Sequence, residues 1–553
     1  MTMRLSLLLG LFAVSGSAQL TTDQRLSDFR ELTDLYARRY AAIQWKQTAI
    51  GFDVLNLKPW LDRVSAVKTD LDFYDLMVEY VSDLQDAHDQ YGLPSDFQAQ
   101  LGFTVDLYDG LVLIDSVNRS ALPLAQFPFD VGDQVVSVDG QAPADLVTMF
   151  SKYVSGGNPR TVSRLAAALI ASRRQAAYPY APQVGDSAAL VVLRQNGNTE
   201  TYTIPWRKAG TPLMALGASP GPNLGPLMKA RKPMAFQQDT PPYQQMLGQL
   251  QNYTLPGQID VLGFDRLQPV FTLPSSFVPR LGTRLFDSLF SGTYQTDSGT
   301  RVGYLRIPDF VSPSLQALDS EINYFQNNTD VLVVDVMRNP GGNACLAEAI
   351  TSRLTTSAFQ GTVAELRVDW SDIASVNSSL ANAQALGADA DTIALLQLYQ
   401  SEFANAFLNN SGRTPALPVC ASTPTHNPAP NAYTKPILVL VDEMSASSAD
   451  IFASIMQDNH IAPLFGYRTM GAGGSPQLTS VGIYTEGSTY VTRSLVVRPQ
   501  PVITPDYPTT NYIENVGVRP ETVVDFMTAD NLLNQGSRFV NAFTAAATAL
   551  LGQ

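Results

Sequence analysis

The sequence is poor in the groups that most often carry chemistry: its 553 residues contain three histidines and two cysteines, and no lysine follows Lys435. The two cysteines, Cys345 and Cys420, are too few for a disulfide framework. They read either as one pair in an oxidising compartment or as two buried thiols. Basic charge is scarce as well. A formal net charge of −14 argues against a nucleic-acid partner, because phosphates would be repelled over most of the surface. Lys229, Arg231 and Lys232 form the only short basic cluster. Beyond the N-terminus no apolar run is long enough to cross a bilayer, so no membrane span is expected. There is no HExxH, no paired-cysteine motif and no P-loop, so neither a metal nor another cofactor is expected.

What is present is ordinary globular material, 45% hydrophobic and 16% charged, in a length that suits roughly two to four domains. The N-terminus, MTMRLSLLLGLFAVSGSAQL, has the parts of a secretory signal: Arg4, an apolar core from Leu5 to Val14, and Gly16-Ser17-Ala18 as a cleavage site. Residues 1–18 are therefore expected to be a signal peptide, and the mature protein to be exported, extracellular or periplasmic. Residues 22–95 read as a helical domain, since Leu26, Phe29, Leu32, Leu35 and Tyr36 recur at three- and four-residue steps. A further helix over TDLDFYDLMVEYVSDLQDAH has Thr69 or Asp70 as its cap.

Residues 98–206 change to short β-branched runs broken by Asp-Gly pairs, with a helical stretch over 143–180 and Asn196-Gly197 as a two-residue hairpin turn. Residues 207–299 are expected as a linker or flap, because 208–245 are rich in Pro and Gly and lack periodicity. From 300 to 527 the apolar runs VGYLRI, VLVVDV and PILVLVD are each followed by turn residues and a helical stretch. That is the pattern of an α/β domain with a largely parallel core. Residues 528–553 are expected as a C-terminal helix.

Between strand and helix lies DEMSASSAD, with three serines in four positions. Ser447 fits a helix cap, with Asp450 completing a capping box. It fits a nucleophile equally, because a hydroxyl at a helix start sits among free backbone N–H groups able to hold an oxyanion. Ser445 and Ser448 read as polar turn residues. A second strand–turn–helix unit, VLVVDVMRNPGGNACLAEAI, has consecutive glycines that let backbone N–H groups approach a ligand. Together, RNPGG and SASSADIFASIMQDN, about a hundred residues apart, resemble the C-terminal-processing, or tail-specific, serine peptidases. VGYLRIPDF before them and IENVGVRPE after them fit the same family in the same order. The resemblance implies a crotonase-like α/β catalytic domain with a PDZ-like β-rich domain at 98–206. Leu101-Gly102-Phe103 is similar to the loop that binds a substrate's terminal carboxylate. It puts the nucleophile on Ser447 and the oxyanion donors on Ser448 and the Gly341-Gly342 turn.

Most members of that family pair the serine with a lysine, whose place here is Ala472 in TMGAGG. The sequence is similar instead to the Ser-His-Glu branch, which includes the tricorn core and a secreted chlamydial protease. There the histidine lies in an Asp-x-His segment and the glutamate in EN-x-GV-x-P; the matching residues are His88 and Glu514, with Asp506 as a nearby competitor. Imidazole suits the task, since a serine hydroxyl needs a base with a pKa near neutrality. His426 and His460 match no motif. The expected function is a secreted serine endopeptidase with a peptide or protein substrate. The alternative is a catalytically inactive ligand- or peptide-binding protein on the same fold. Oligomeric state has no signal in the sequence.

Overall fold

The computed structural model describes residues 19–213, 240–255 and 262–552. The expected signal peptide, residues 1–18, lies outside the described residues, as do residues 214–239 of the Pro- and Gly-rich stretch. Near-continuous apolar runs become one seven-stranded sheet whose strands lie side by side in chain order. They are Val278–Leu281, Phe290–Gln295, Arg301–Arg306, Val331–Asp335, Ile437–Val441, Leu464–Gly466 and Thr522–Val523. The first three are antiparallel and every later pairing is parallel. Alternation explains why no position in the central strands is polar-facing. Leu332, Val334, Val439 and Val441 share a core with the helices Leu315–Asn328 and Ser448–Asp458. Val331, Val333, Leu438 and Leu440 turn to the other face, against Phe539, Val540 and Phe543 of the helix Ser537–Ala549.

Two of these strands come from 207–299, which had been expected to be linker or flap. The described part of that stretch also forms the helix Pro242–Leu250 and the short strand Asn252–Thr254. Pro279 and Gly292 break the local strand pattern, and pairing in the sheet overrides the weak propensity. The C-terminal stretch is two helices, Ala529–Leu533 and Ser537–Ala549, separated at Gly536 in the left-handed region (φ 74°).

Residues 98–206 contain a five-stranded antiparallel sheet in the order Phe103–Tyr108, Leu111–Val117, Gln134–Val138, Ser187–Leu193 and Thr199–Pro205. The helical stretch expected over 143–180 is two helices, Pro143–Phe150 and Pro159–Ala168, and then a strand, Ser172–Arg174. The hairpin after Leu193 is wider than a two-residue turn. Gly197 alone of the Asn196-Gly197 pair has positive φ, its amide reaches the Arg194 carbonyl, and strand pairing resumes at Leu193–Thr199.

The N-terminal helices Thr22–Arg39, Ile43–Ala49, Lys58–Ala66 and Asp70–Ser82 fold back over the catalytic domain. Thr69, rather than Asp70, caps the last of them. Tyr36, Tyr40 and Trp45 share a core with Met444, Ala446, Met470, Ala472 and Val516. Polar ties fix the register: the Tyr36 hydroxyl donates to the Tyr490 carbonyl (2.8 Å) and the Ala41 amide to the Thr492 carbonyl (2.9 Å). Tyr91–Gly92 adds as a strand to Ser488–Thr489. Cys345 and Cys420 are joined as a disulfide. Among the described residues no helix is long and apolar enough to cross a membrane.

Candidate active site

The strand Ile437–Val441 delivers its turn, Asp442 to Ser447, to the start of the helix Ser448–Asp458. The three serines of that turn part company. The Ser445 hydroxyl donates to the Val336 carbonyl (2.8 Å) and that of Ser448 to the Gly342 carbonyl (3.0 Å), both structural uses. Ser447 sits in the left-handed region (φ 63°), a strained position for a residue with a Cβ. Asp450 relieves part of that by accepting the Ser447 amide at 2.7 Å. Asp450 forms the expected capping box with Ser447, whose hydroxyl also faces His88. That hydroxyl lies 2.7 Å from His88 Nε2, across 359 residues of chain, and also donates to the Tyr253 carbonyl. Asp450 further gathers the Thr469 hydroxyl and the amides of Gly471 and Ala472. Burial pushes its carboxyl up to about 6. Ala472 is buried in that loop, so the usual lysine's place carries only a methyl group.

His88 is held by its own segment. Its amide donates to Asp86 (2.9 Å), and Asp86 in turn accepts the Tyr40 hydroxyl (3.0 Å). The imidazole is fully buried, and this drives it down to about 4; the Asp86 carboxylate opposes the shift and Lys46 adds to it. At neutral pH the ring is uncharged. Its tautomer follows from counting protons. Ser447 has one to give, and where the Tyr253 carbonyl takes it, Nε2 must donate to the serine oxygen. Nδ1 is then a bare acceptor, and it has no hydrogen-bond partner among the described residues.

Glu514 is near but differently engaged. The expected contact with Nδ1 is not made: Oε1 meets Lys46 Nζ at 2.5 Å and Oε2 accepts the Gly473 amide at 3.0 Å. Lys46 is the functional neighbour that sequence reasoning missed. It is fully buried, and its ammonium also donates to the Gln85 carbonyl (3.1 Å) and to Asn515 Oδ1 (2.7 Å). Burial, and then repulsion from Asp86, push the Glu514 carboxyl up to about 7, while Lys46 pulls it back. Burial likewise raises Asp89 well above the usual carboxylate range, with Asp86 adding to it. One ammonium thus offsets three carboxyl groups around a neutral imidazole. Asp506, the competitor to Glu514, is half-exposed and spent on Arg468 and Arg519.

The glycine turn meets the serine at one point. A Cβ on Gly341 would lie 2.4 Å from the Tyr253 carbonyl oxygen, 2.6 Å from Ser447 Cβ and 2.8 Å from the Ser448 nitrogen. Only glycine leaves room there. The Gly341 amide is not a free oxyanion donor, because it donates to Asn339 Oδ1 at 2.8 Å. The Ser448 amide at the helix N-terminus remains as a donor, while the Gly342 amide lies opposite Tyr253 in the strand ladder and is released only when that strand leaves. The strand Asn252–Thr254 pairs antiparallel with Gly341–Asn343, setting Tyr253 opposite Gly342.

In the carboxylate-loop segment, the Leu101 amide is taken by the Ala171 carbonyl (3.0 Å). Gly102 (φ 85°) and Phe103 face a cleft of about 570 Å³, with Ala168 on one wall and Leu262, Arg266 and Arg338 on the other. Strand Phe103–Tyr108 is the edge of its sheet, so its outer side is open to an added strand. His426 is engaged elsewhere: it pairs with Glu348 at 2.9 Å and stacks on Phe359. His460 ends the serine helix, with its amide on the Gln457 carbonyl.

Comparison with known proteins bears on the fold and the domains. A Chlamydia pneumoniae protein is 23% identical over 97% of this chain and 91% of its own length. A protein of Chlamydia trachomatis serovar D is 24% identical over 92% and 90%. The solved structure of mature CPAF complexed with lactacystin has the same fold, with a TM-score of 0.74 at 20% identity over 96% of this chain and 99% of that one. Residues 97–213 match the PDZ domain and residues 301–524 match peptidase family S41. The chain is therefore a serine-type peptidase, carrying a peptidase family S41 domain behind a PDZ domain.

Proposed function

We propose that this peptidase is an exported endopeptidase that works through Ser447, His88 and Glu514. The observation that carries the reading is the 2.7 Å contact between His88 Nε2 and the Ser447 hydroxyl. That is within the reach a general base needs. A substrate strand takes the place of Asn252–Thr254 along the glycine turn, which frees the serine's proton from the Tyr253 carbonyl. Ser447 Oγ attacks the scissile carbonyl carbon and its proton passes to Nε2. This step requires the tautomer with hydrogen on Nδ1, and so an acceptor there. Glu514 is the carboxylate proposed to turn from Lys46 to meet it. The tetrahedral oxyanion is held by the amides of Gly342 and Ser448. His88 then returns its proton to the leaving amine, and a water repeats the sequence on the acyl-enzyme.

Burial keeps the imidazole uncharged at neutral pH, the form that can accept a proton, and a carboxylate at Nδ1 is what raises its proton affinity toward that of an effective base. The nearby carboxyl groups also stabilise the imidazolium once formed. The substrate's C-terminal end is proposed to add along Phe103–Tyr108 with its carboxylate at the Gly102 and Phe103 amides, in the cleft they line. Export is supported by the signal-like N-terminus and by the Cys345–Cys420 disulfide, which persists in oxidising compartments.

A fluorophosphonate probe tests the nucleophile. It should label the full chain at Ser447, faster in Tyr253→Gly, where the covering strand loses its anchor. Ser447→Ala should lose the label and peptide hydrolysis together. Labelling that survives in Ser447→Ala would remove this serine from the mechanism, and no labelling of any variant would favour the binding-protein alternative.

A further inference from the structure

The strand that covers the site also has a side chain in it. Tyr253 presents its carbonyl to the Ser447 hydroxyl, while its backbone runs antiparallel to Gly341–Asn343. The flanking bonds, Leu255 amide to Pro340 carbonyl and Ala344 amide to Gln251 carbonyl, put Tyr253 and Gly342 in the hydrogen-bonding phase of that ladder. In a strand so placed, the residue whose carbonyl faces the nucleophile is the one that would precede the cleaved bond. The Tyr253 ring is fully buried in a cluster with Ala344, Phe359, Ile451, Val496 and Ile513. Its hydroxyl lies 3.2 Å from Ser494 Oγ, which also accepts the Ser475 amide at 3.0 Å.

We infer that the pocket now filled by Tyr253 is the specificity pocket of the peptidase, and that it selects substrates with tyrosine or phenylalanine before the cleaved bond. This rests on Ser447 being the nucleophile. Three observations support it. First, the named wall residues all belong to the peptidase domain, so the pocket keeps its walls when the covering strand leaves. Second, the side chains clustered with Tyr253 are apolar, so a small side chain in place of its ring would leave a void and a charged one would lose its hydration. Third, the tyrosine tip meets the Ser494 hydroxyl, which can bond a phenol, and burial holds that phenol neutral by pushing it up to about 12. A site made to bond a hydroxyl discriminates against the analogue that lacks it. Because Ser494 already has the Ser475 amide as a partner, that preference is small, and tyrosine exceeds phenylalanine only modestly. The covering strand is then a resident stand-in for substrate, lying in the register of a strand about to be cut.

The test uses the full chain with Tyr253→Ala, which empties the pocket, and peptidyl diphenyl phosphonates ending in Tyr, Phe, Leu, Ala, Lys or Asp. The Tyr and Phe probes should modify Ser447 at least about tenfold faster than the Ala, Lys and Asp probes, as a hydrophobic pocket discriminates. Adding Ser494→Ala should bring the Tyr rate down to the Phe rate. An Ala or Lys probe that reacts as fast as Tyr overturns the inference. A fluorophosphonate with no peptide side chain keeps the two failures apart. If it labels Ser447 while the phosphonate series is flat, the pocket assignment fails and the nucleophile stands; if it does not label, the nucleophile itself fails. An independent readout needs no catalysis. p-Cresol should raise the melting temperature of Tyr253→Ala, as small aromatics fill engineered apolar cavities, and leave wild type unmoved. No rise in the variant counts against an aromatic pocket. Should Tyr253→Ala not fold, Tyr253→Leu retains most of the packing and takes the same probe series.

Discussion

Two of the chain's histidines make an instructive pair. His426 donates from its Nε2 to the Glu348 carboxylate, stacks on Phe359 and is about three-quarters buried (side-chain exposure 23%). The Glu348 hydrogen bond raises its proton affinity above the ordinary value. His88 is fully buried, its Nε2 meets a hydroxyl instead of a carboxylate, and its affinity falls to about 4. Carboxyl groups surround His88 too, but none bonds to its ring, so desolvation wins. A directly bonded carboxylate favours the charged form of an imidazole. A buried imidazole facing a hydroxyl stays neutral, which is the state a base must start from.

The sharpest way to break this contrast is to remove each ring. His88→Ala should lower kcat on the order of 10⁴-fold with cleavable peptide, as loss of a triad base does. His426→Ala should change it far less, about tenfold or less, because it reaches the site only by stacking on the pocket residue Phe359. Comparable losses in both would abolish the distinction. Melting curves on both variants separate chemistry from unfolding.

Lys46 sharpens the His88 side. It lowers both Glu514 and His88, so Lys46→Met should raise both proton affinities. The acid limb of the kcat/KM profile should then move to higher pH, by about one unit or more. Stability should fall by about 3–5 kcal/mol if Glu514 stays charged, because a buried ion has lost its partner. Lys46→Met with Glu514→Gln should recover much of that stability without recovering activity. A double variant as active as wild type would exclude Glu514 from orienting the base.

The smallest effect concerns pH and His426. Its folded affinity is raised, so the stability it contributes is present below the unfolded value near 6.5 and lost as pH rises through the folded value. Glu348→Gln should therefore destabilise more at pH 5.5 than at pH 8.5 in urea titrations. His88 has the opposite sign. Its folded affinity is depressed, so the folded state loses stability as pH falls from about 6.5 toward 4. In NMR, the His426 ring should titrate above the ordinary range while His88 stays neutral down to about 4. A gap between wild type and Glu348→Gln that widens with rising pH would refute the His426 pairing.

Much of the central sheet was legible because VLVVDV and PILVLVD bury both faces and admit no other reading. Ser447 and His88 were legible as partners through motifs, although they are brought together by helices and loops that no local pattern links. Other features were not. Lys46 lies in IQWKQTA, where a lysine on a short helix reads as a solvated charge; only its complete burial against Glu514 reveals it. VPRL and FSGTYQ carry a proline and a glycine where strands rarely do, so sheet pairing alone makes them strands. Glu514 was assigned to the right neighbourhood, but a sequence holds no information on which of two buried charges its carboxylate will face. The Asn339 side chain that captures the Gly341 amide is likewise a matter of turn geometry, invisible in RNPGG.

The contact between His88 and Ser447 also has a consequence in time. Lys46 and His88 are made early, Ser447 late and Glu514 later still, and each reaches the others only through the packing of the N-terminal helices on loops from the far end of the chain. A nascent chain emerging N-terminus first holds a base without a nucleophile for most of its synthesis. Long-range closures of this kind form slowly. On the proposed mechanism a truncated or half-threaded chain therefore cannot cleave, and only a finished one can.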